Sequence, residues 1–150
     1  DALPISLYTI GFTKKSAERF FTLIKENGVK RLIDVRISNN SQLAGFAKGK
    51  DLAFFTKEIC SIPYQYIVDF APTKELLDQW HKQEVDWEDY VKIYNDLLKN
   101  RNILHKYDVK QFDKACFLCS EETPENCHRR LLVEYLQRHS NEEISIRHLL

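Results

Sequence analysis

The sequence predicts a three-layer α/β/α domain built around a mainly parallel sheet. Segments with the alternating or wholly apolar pattern of strands are separated by segments with the periodicity of amphipathic helices. Residues 5–10, 16–27 and 31–36 follow one another as strand, helix and strand, a unit that almost always makes parallel strands with a right-handed crossover. The chain has 150 residues, 43% of them hydrophobic, which suits a single domain over residues 1–150.

The first strand shows an alternation of apolar and polar residues, and Gly11 ends it. The helix that follows stops at Asn27 and Gly28, a pair typical of helix ends. After the second strand, residues 38–50 are polar and lack periodicity. We therefore interpret them as a mobile loop beside the strand ends.

The middle of the chain predicts an edge strand between helices. Residues 51–60 form a short helix with an acidic residue at its start, and residues 62–68 form a strand. Pro63 removes one backbone donor from that strand, which favours an edge position or the start of the strand.

Two capped helices come next. Thr73 caps a helix at residues 74–82, and Asp86 caps a longer one at residues 87–99. The longer helix carries an apolar stripe that includes Tyr90. We interpret this stripe as core packing rather than as a ligand site.

The last part of the chain combines a buried strand, a helix and a final strand. Residues 115–119 form the apolar strand, which stops at three polar residues. Thr123 and Pro124 then predict a helix start, with a hydroxyl cap and a proline at the first helical position, and the helix runs to about residue 139. Residues 144–149 alternate as the last strand.

The composition argues against a strong electrostatic partner and against a membrane span. The 22 Lys and Arg residues balance 22 Asp and Glu residues, so no overall field recruits nucleic acid or a membrane surface. No apolar stretch reaches the roughly 18 residues of a membrane span, and no secretory leader is recognisable. The domain is large enough not to need disulfides, so we expect reduced cysteines and a cytoplasmic location.

Polar residues collect where the predicted strands end. Gly11 ends the first strand, Asp34 and Arg36 end the second, and Cys119 and Glu121 follow from the buried strand. The carboxyl ends of parallel strands share one edge of a sheet, and ligands bind at that edge. We therefore predict a functional site there.

Asp34 and Arg36 can act together because they are two residues apart in a strand. Both side chains then point to the same face of the sheet, while Val35 points to the opposite layer. Asp34 can orient the guanidinium and leave its fork aimed at a planar anion. A purely structural ion pair is an equal alternative.

Cys127 and His128 fall near the start of the last helix, where exposed backbone N–H groups favour an anion and stabilise a thiolate. Cys127 or Cys119 is therefore a candidate nucleophile or group-carrying thiol. Glu121 is a candidate general acid or base. The alternative is an inert buried thiol, because Cys127 shares a helical face with core residues.

Two known chemistries fit the cysteines poorly. In cysteine phosphatases an Arg follows the anion-cradling loop that starts at the Cys, and neither Cys119 nor Cys127 has an Arg at that place. A zinc site made by Cys116, Cys119, Cys127 and His128 is also disfavoured. Cys116 and Cys119 are three residues apart in a strand and point to opposite faces.

The segment from the buried strand to the last helix resembles the C-terminal signature of the domain-of-unknown-function 488 family, small intracellular proteins of largely unassigned activity. The resemblance rests on the pattern Cys119-x-Glu121-x2-Pro124-x2-Cys127-His128-Arg129. Two earlier motifs, Thr9-Ile10-Gly11 and Asp34-Val35-Arg36, also resemble that family. The similarity extends over nearly the whole chain.

The chain departs from the family pattern at two places. Phe12 and Thr13 stand where the family usually has a His and a Ser, so no role for a histidine in the first loop carries over. Asn39 stands where the family usually has a Pro, although the Ser that follows in the pattern is retained as Ser41.

The favoured hypothesis is a pocket at the strand ends that binds an anionic, phosphate-bearing and nucleotide-like ligand. The same pocket can also be catalytic. It includes no cofactor and no metal. The candidate catalytic residues are Glu121, Cys127 and Cys119. The candidate ligand-binding residues are Gly11, Asp34, Arg36, Ser41, His128 and Arg129.

Two alternatives stay open. One is a non-enzymatic module that binds nucleic acid or a protein, and the other is a metal-dependent site using Cys119, Cys127 and His128. The expected partner is a small anionic ligand or nucleotide, with nucleic acid as the second option and no membrane.

Overall fold

A five-stranded sheet, with every strand parallel to its neighbours, forms the centre of the computed structural model, which describes residues 3–40 and 45–150. The order across the sheet is β3-β2-β4-β1-β5. The strands are β1 (Ile5–Gly11), β2 (Arg31–Asp34), β3 (Tyr64–Tyr66), β4 (Ala115–Cys119) and β5 (Ile144–Leu149). The parallel α/β fold predicted from the sequence is confirmed.

Within residues 3–40 and 45–150, six α-helices flank the sheet. They are α1 (Ala17–Glu26), α2 (Gly49–Cys60), α3 (Lys74–His81), α4 (Trp87–Asn100), α5 (Ile103–Lys106) and α6 (His128–His139). One hydrophobic core lies between the sheet and α1 with α2, and a second lies between the opposite face and α3 to α6. The two cores make the three layers of an α/β/α domain.

Alternation along the strands assigns their side chains to the two cores. In β4, Ala115, Phe117 and Cys119 face the layer of α4 and α6, while Cys116 and Leu118 face the layer of α1 and α2. This is the period of two that every strand imposes. Cys116 and Cys119 therefore lie on opposite faces, as the sequence predicted.

The register brings three strand ends to one edge. Gly11 pairs with Cys119 across β1 and β4, and Asp34 pairs with Leu118 across β2 and β4. Because the strands are parallel, the segments that leave their carboxyl ends start from the same rim. The polar motifs of the sequence therefore begin side by side.

Two predicted helix caps are confirmed. The hydroxyl of Thr73 accepts a hydrogen bond from the N–H of Leu76 at 3.1 Å, and the carboxylate of Asp86 accepts one from Asp89 at 2.8 Å. Each side chain satisfies a backbone donor that the first helical turn leaves free.

The predicted start of the last helix at Thr123 and Pro124 is wrong. The N–H of Cys127 donates to the carbonyl of Pro124 at 3.2 Å, which closes a single turn. Cys127 then adopts an extended conformation, with φ −128° and ψ 139°, and α6 begins only at His128. An extended residue cannot continue a helix, so the capping signal gives a turn instead.

The segment interpreted as a mobile loop at residues 38–50 is partly helical. A short 3₁₀ helix spans Gly45–Ala47, and α2 begins at Gly49, two residues before the predicted start. The N–H of Gly49 donates to the carbonyl of Asn39 at 2.6 Å, which ties the two ends of the segment together. Residues 41–44 lie outside the described part of the chain.

The cysteines are free thiols, and three of them are buried. The exception is Cys60, at the end of α2, which is partly exposed. Of the helices within the described residues, none combines the length and apolar character that crossing a bilayer requires.

We expect Phe117→Ala to lower the free energy of unfolding by about 3–5 kcal/mol, because it leaves a cavity at the centre of the sheet. Phe117 is fully buried and its ring packs against Phe70 and Phe112. Urea unfolding measures the loss. Phe54→Ala is the control, since Phe54 is 60% exposed, and its effect should stay within about 0.5 kcal/mol. Equal losses in the two variants would contradict the packing described.

Candidate functional site

Two thiols and an imidazole meet at the carboxyl edge of the sheet. Cys119 is the last residue of β4, Cys127 is the N-cap of α6 and His128 is its first residue. One ligand atom from each of the three lies within 4.8 Å of the others. All three residues are buried. We call them the Cys–His cluster.

The backbone of β2 fixes the orientation of the imidazole. Nε2 of His128 lies 2.7 Å from the carbonyl oxygen of Val35, and because a carbonyl can only accept, Nε2 carries the proton and donates. In the neutral ring Nδ1 then keeps its lone pair, and it lies 3.7 Å from Sγ of Cys119. The ring of Tyr94 packs against the imidazole edge at 5.7 Å between ring centroids.

The neighbours of the two thiols shift their acidity in opposite directions. A hydrogen bond from Cys127, together with the charges of His128 and Arg129, holds the pKa of Cys119 well below its usual value. Burial and then Cys119 raise the pKa of Cys127 well above its usual value. Burial lowers the pKa of His128, but Cys119 outweighs it and raises that pKa overall.

Arg129 holds the loop between β4 and α6. It is fully buried, and its Nη1 donates to the carbonyl of Glu121 at 2.6 Å while Nη2 donates to that of Glu122 at 3.5 Å. Nη1 also lies 3.6 Å from Sγ of Cys127. The guanidinium therefore binds the protein's own backbone and does not line the pocket described below.

Gly11 allows this loop to lie on the end of β1. A Cβ atom on Gly11 would stand 1.6 Å from the carbonyl oxygen of Glu121 and 2.9 Å from Nη1 of Arg129. Only a residue without a side chain fits there. Gly11, a predicted ligand-binding residue, therefore gives room to the backbone of the loop.

Asp34 and Arg36 form a buried, bidentate ion pair. Nε and Nη2 of Arg36 lie 2.9 and 2.7 Å from the two carboxylate oxygens of Asp34, and Nη2 also donates to the carbonyl of Ala47. The hydroxyl of Tyr64 donates to Asp34 at 2.5 Å. Asp34 orients the arginine as predicted, but it also occupies the fork that the sequence analysis assigned to an anion. Among the described residues, Nη1 of Arg36 has no partner.

A pocket of about 420 Å³ opens above the Cys–His cluster. The cluster contributes to its lining, α3 supplies another wall, and Tyr90 adds to it from α4, whose apolar stripe the sequence analysis interpreted as core packing. Its full lining consists of Arg36, Ile37, Ser38, Lys74, Leu77, Asp78, Trp80, His81, Tyr90, Cys119, Ser120, Glu121, Asn126, Cys127 and His128.

Tyr90 links the aromatic wall to the cluster. Its ring stacks on Trp87 at 4.9 Å and lies 5.8 Å from Trp80, while the residue is only 2% exposed. Burial, followed by the nearby Cys127, Cys119 and Glu121, raises the pKa of its phenol. The core position that the sequence predicted for Tyr90 is confirmed, and the same residue also lines the pocket, which the apolar stripe alone did not indicate.

The remaining predicted site residues are Glu121 and Ser41. The side chain of Glu121 is exposed at the pocket, and its carbonyl is taken by Arg129. Glu122 pairs with Lys14 at the surface. Ser41 lies outside the described residues, so its predicted role stays a prediction. Nδ1 of His148 lies 2.6 Å from the hydroxyl of Thr9, which joins neighbouring strands.

Comparison with known proteins gives one match. A family model described as "Domain of unknown function DUF488" matches residues 16–136, which is most of the chain and includes the whole Cys–His cluster. Gly11 and His148 lie outside the matched range. No curated protein sequence matches the chain, and no solved structure matches it.

We expect Gly11→Ala to lower the free energy of unfolding by at least about 2 kcal/mol, because the added methyl group collides with backbone that cannot give way. Gly45→Ala is the matched control, since an added Cβ there meets nothing within 4 Å. Chemical denaturation of both variants measures the difference. Equal stability of the two would mean that the loop does not sit on β1 as described.

Asp34→Ala should lower the free energy of unfolding by about 3–5 kcal/mol, because it leaves the guanidinium of Arg36 buried without its counter-charge. Asp78→Ala removes an exposed carboxylate that pairs with Lys74, and its midpoint of unfolding should not change measurably. A loss for Asp34→Ala no larger than that of the control would contradict a buried pair.

Proposed function

The chain belongs to the DUF488 family, whose description names no activity, and we propose that it binds a small anionic ligand of nucleotide-like size in this pocket and acts on it through the Cys–His cluster. The observation that carries the proposal is the position of the cluster. Two thiols and an imidazole lie within 4.8 Å of one another and line a pocket of about 420 Å³.

The shape of the pocket suits a small molecule with a planar apolar part. Its volume falls in the range of ligand sites, about 300–1,000 Å³. Leu77, Trp80 and Tyr90 supply apolar and aromatic surface on one side. Aromatic rings favour stacking with other rings, so a nucleobase or a similar ring fits this wall.

Cationic groups near the pocket favour a negative charge on the ligand. The lining holds three basic side chains, Arg36, Lys74 and His81, and two carboxylates, Asp78 and Glu121. The N-terminus of α6 lies at the same pocket, at Cys127 and His128. A helix N-terminus favours an anion. Lys74 pairs with Asp78 at 3.0 Å, but an exposed pair of this kind contributes little and can open to a ligand.

The polar groups of the pocket are suited to chemistry as well as to binding. Thiols and imidazoles serve as nucleophiles, as bases and as metal ligands. Glu121 supplies a carboxylate at the same pocket. We expect the bond of the ligand that lies beside Cys119 and His128 to be the one that reacts.

Binding of nucleic acid or a protein through the same face is the competing function. A pocket of about 420 Å³ favours a small ligand, because a strand of nucleic acid needs a long, positively charged groove. The balance of 22 cationic and 22 anionic residues gives no such groove a net field. Affinity for an oligonucleotide that fell steeply with salt would instead favour the nucleic-acid function.

We expect adenosine monophosphate at saturating concentration to raise the melting temperature by several degrees, because a ligand at about 100 times its Kd stabilises the folded state by about 2.7 kcal/mol. Leu77→Trp should abolish the shift by filling the pocket. Val68→Trp is the control, since Val68 is exposed and outside the pocket lining, and it should keep the shift.

Differential scanning fluorimetry with adenosine monophosphate, adenosine and inorganic phosphate separates the contributions of ring and charge. The proposal requires the monophosphate to stabilise more than adenosine does. A shift that survives in Leu77→Trp, or no shift with any of the three probes, would overturn it.

A further inference from the structure

We propose that Cys119, Cys127 and His128 together bind a zinc ion, whose fourth coordination position opens into the pocket. The inference rests on the proposed function for the identity of the fourth ligand, which is the anionic group of the bound molecule. The three protein ligands themselves follow from the geometry of the cluster alone.

The distances within the cluster suit tetrahedral zinc. With bonds of about 2.3 Å to sulfur and about 2.0–2.1 Å to nitrogen, tetrahedral angles place a sulfur and a nitrogen ligand about 3.5 Å apart and two sulfurs about 3.8 Å apart. Sγ of Cys119 lies 3.7 Å from Nδ1 of His128, and the three ligand atoms share a radius of 4.8 Å. A pair of ligand atoms at the 4.8 Å limit would have to approach by about 1 Å to reach the tetrahedral separation of two sulfurs.

The groups behind the ligands are those that a metal site needs. A histidine ligand usually donates its second ring N–H to a carbonyl or carboxylate, which fixes the tautomer and the ring orientation. Nε2 of His128 makes this bond to the carbonyl of Val35, and Nδ1 is left to coordinate. Nη1 of Arg129 lies 3.6 Å from Sγ of Cys127, where it stabilises a thiolate.

The charge balance of the cluster also favours a divalent cation. Two buried thiolates would repel each other, and Zn²⁺ neutralises both when it displaces their two protons to the solvent. Of the arginines that the sequence assigned to the anion, Arg129 bonds to the loop backbone, and Arg36 pairs with Asp34 and, within the described part of the chain, keeps only Nη1 free at the pocket. Because the two thiolates balance its charge, bound zinc would offer the anionic group a coordination bond at its open position rather than a net positive charge.

This site differs from the four-ligand zinc site rejected on sequence grounds. Cys116 lies on the opposite face of β4 and takes no part. Three protein ligands with an open position are typical of catalytic zinc, whereas structural zinc uses four. The pocket above the cluster provides that open position.

Titration with Co²⁺ tests the site, because cobalt replaces zinc and reports its own coordination. The reduced, chelator-treated protein should bind one Co²⁺ per chain, with thiolate-to-cobalt charge-transfer absorption and the intense visible bands of tetrahedral cobalt. Zn²⁺ should then remove both. Cys60→Ser, which changes a thiol outside the cluster, should behave as the wild type.

Substitution of the ligands should abolish this spectrum. Cys119→Ala with Cys127→Ala should lose all tetrahedral cobalt binding, and His128→Asn should weaken it by more than the roughly 10–100-fold that follows the loss of an outer-shell partner. Tetrahedral binding that persists in the double variant would overturn the proposal. So would cobalt bound by the wild type with only the weak absorption of an octahedral surface site.

Alkylation of the wild-type protein keeps the test valid if a variant fails to fold. Zn²⁺ should slow the labelling of Cys119 and Cys127 by iodoacetamide at least tenfold, as read by peptide mass spectrometry, and should leave Cys60 unchanged. Equal labelling of the two cluster cysteines with and without Zn²⁺ would contradict the site.

The fates of the metal site and of the proposed function can be separated. Adenosine monophosphate should shift the melting temperature more in the zinc-loaded protein than in the chelator-treated protein. Metal binding without any ligand-induced shift would support the zinc site and overturn the proposed function. If adenosine monophosphate raised the melting temperature equally in the zinc-treated and the chelator-treated protein, and no cobalt bound, the proposed function would be supported and the zinc site overturned.

Discussion

The site depends on one buried contact, the clamp of Arg129 on the backbone of the loop between β4 and α6. The guanidinium bonds to the carbonyl of Glu121, and that carbonyl lies where a side chain on Gly11 would be. Together with the bond from His128 to the carbonyl of Val35, this contact holds Cys127 and His128 over the end of β4. Because the buried guanidinium donates its hydrogen bonds to backbone carbonyl groups, it fixes the loop against the core.

Much of the fold follows from the sequence because parallel strands buried on both faces have few competing interpretations. The apolar run of β4 and the strand–helix–strand unit around α1 are enough to predict the parallel sheet. That sheet in turn predicts a common edge for Gly11, Asp34 and Cys119. The prediction of a helix start at Thr123 was wrong because the capping pattern is local, whereas tertiary contacts hold Cys127 in an extended conformation.

The roles of the two arginines could not be predicted for a physical reason. A sequence shows that Arg36 and Arg129 stand in motifs, but it does not show which acceptors face their donors. Arg36 is occupied by Asp34 and Ala47, and Arg129 is occupied by carbonyl groups of the loop. The role of Trp80 and Tyr90 in the pocket wall was not predicted. Helical periodicity marks an apolar face, but it does not show whether other core residues or a ligand cover that face.

The central claim is that a small anion binds directly over the Cys–His cluster. A crystal structure of the zinc-loaded protein soaked with adenosine monophosphate tests it most directly. The account predicts an anomalous zinc peak bonded to Cys119, Cys127 and His128, with the phosphate as its fourth ligand and the base beside Trp80 and Tyr90. Nucleotide density elsewhere on the protein, or a vacant pocket at saturating nucleotide, would contradict it.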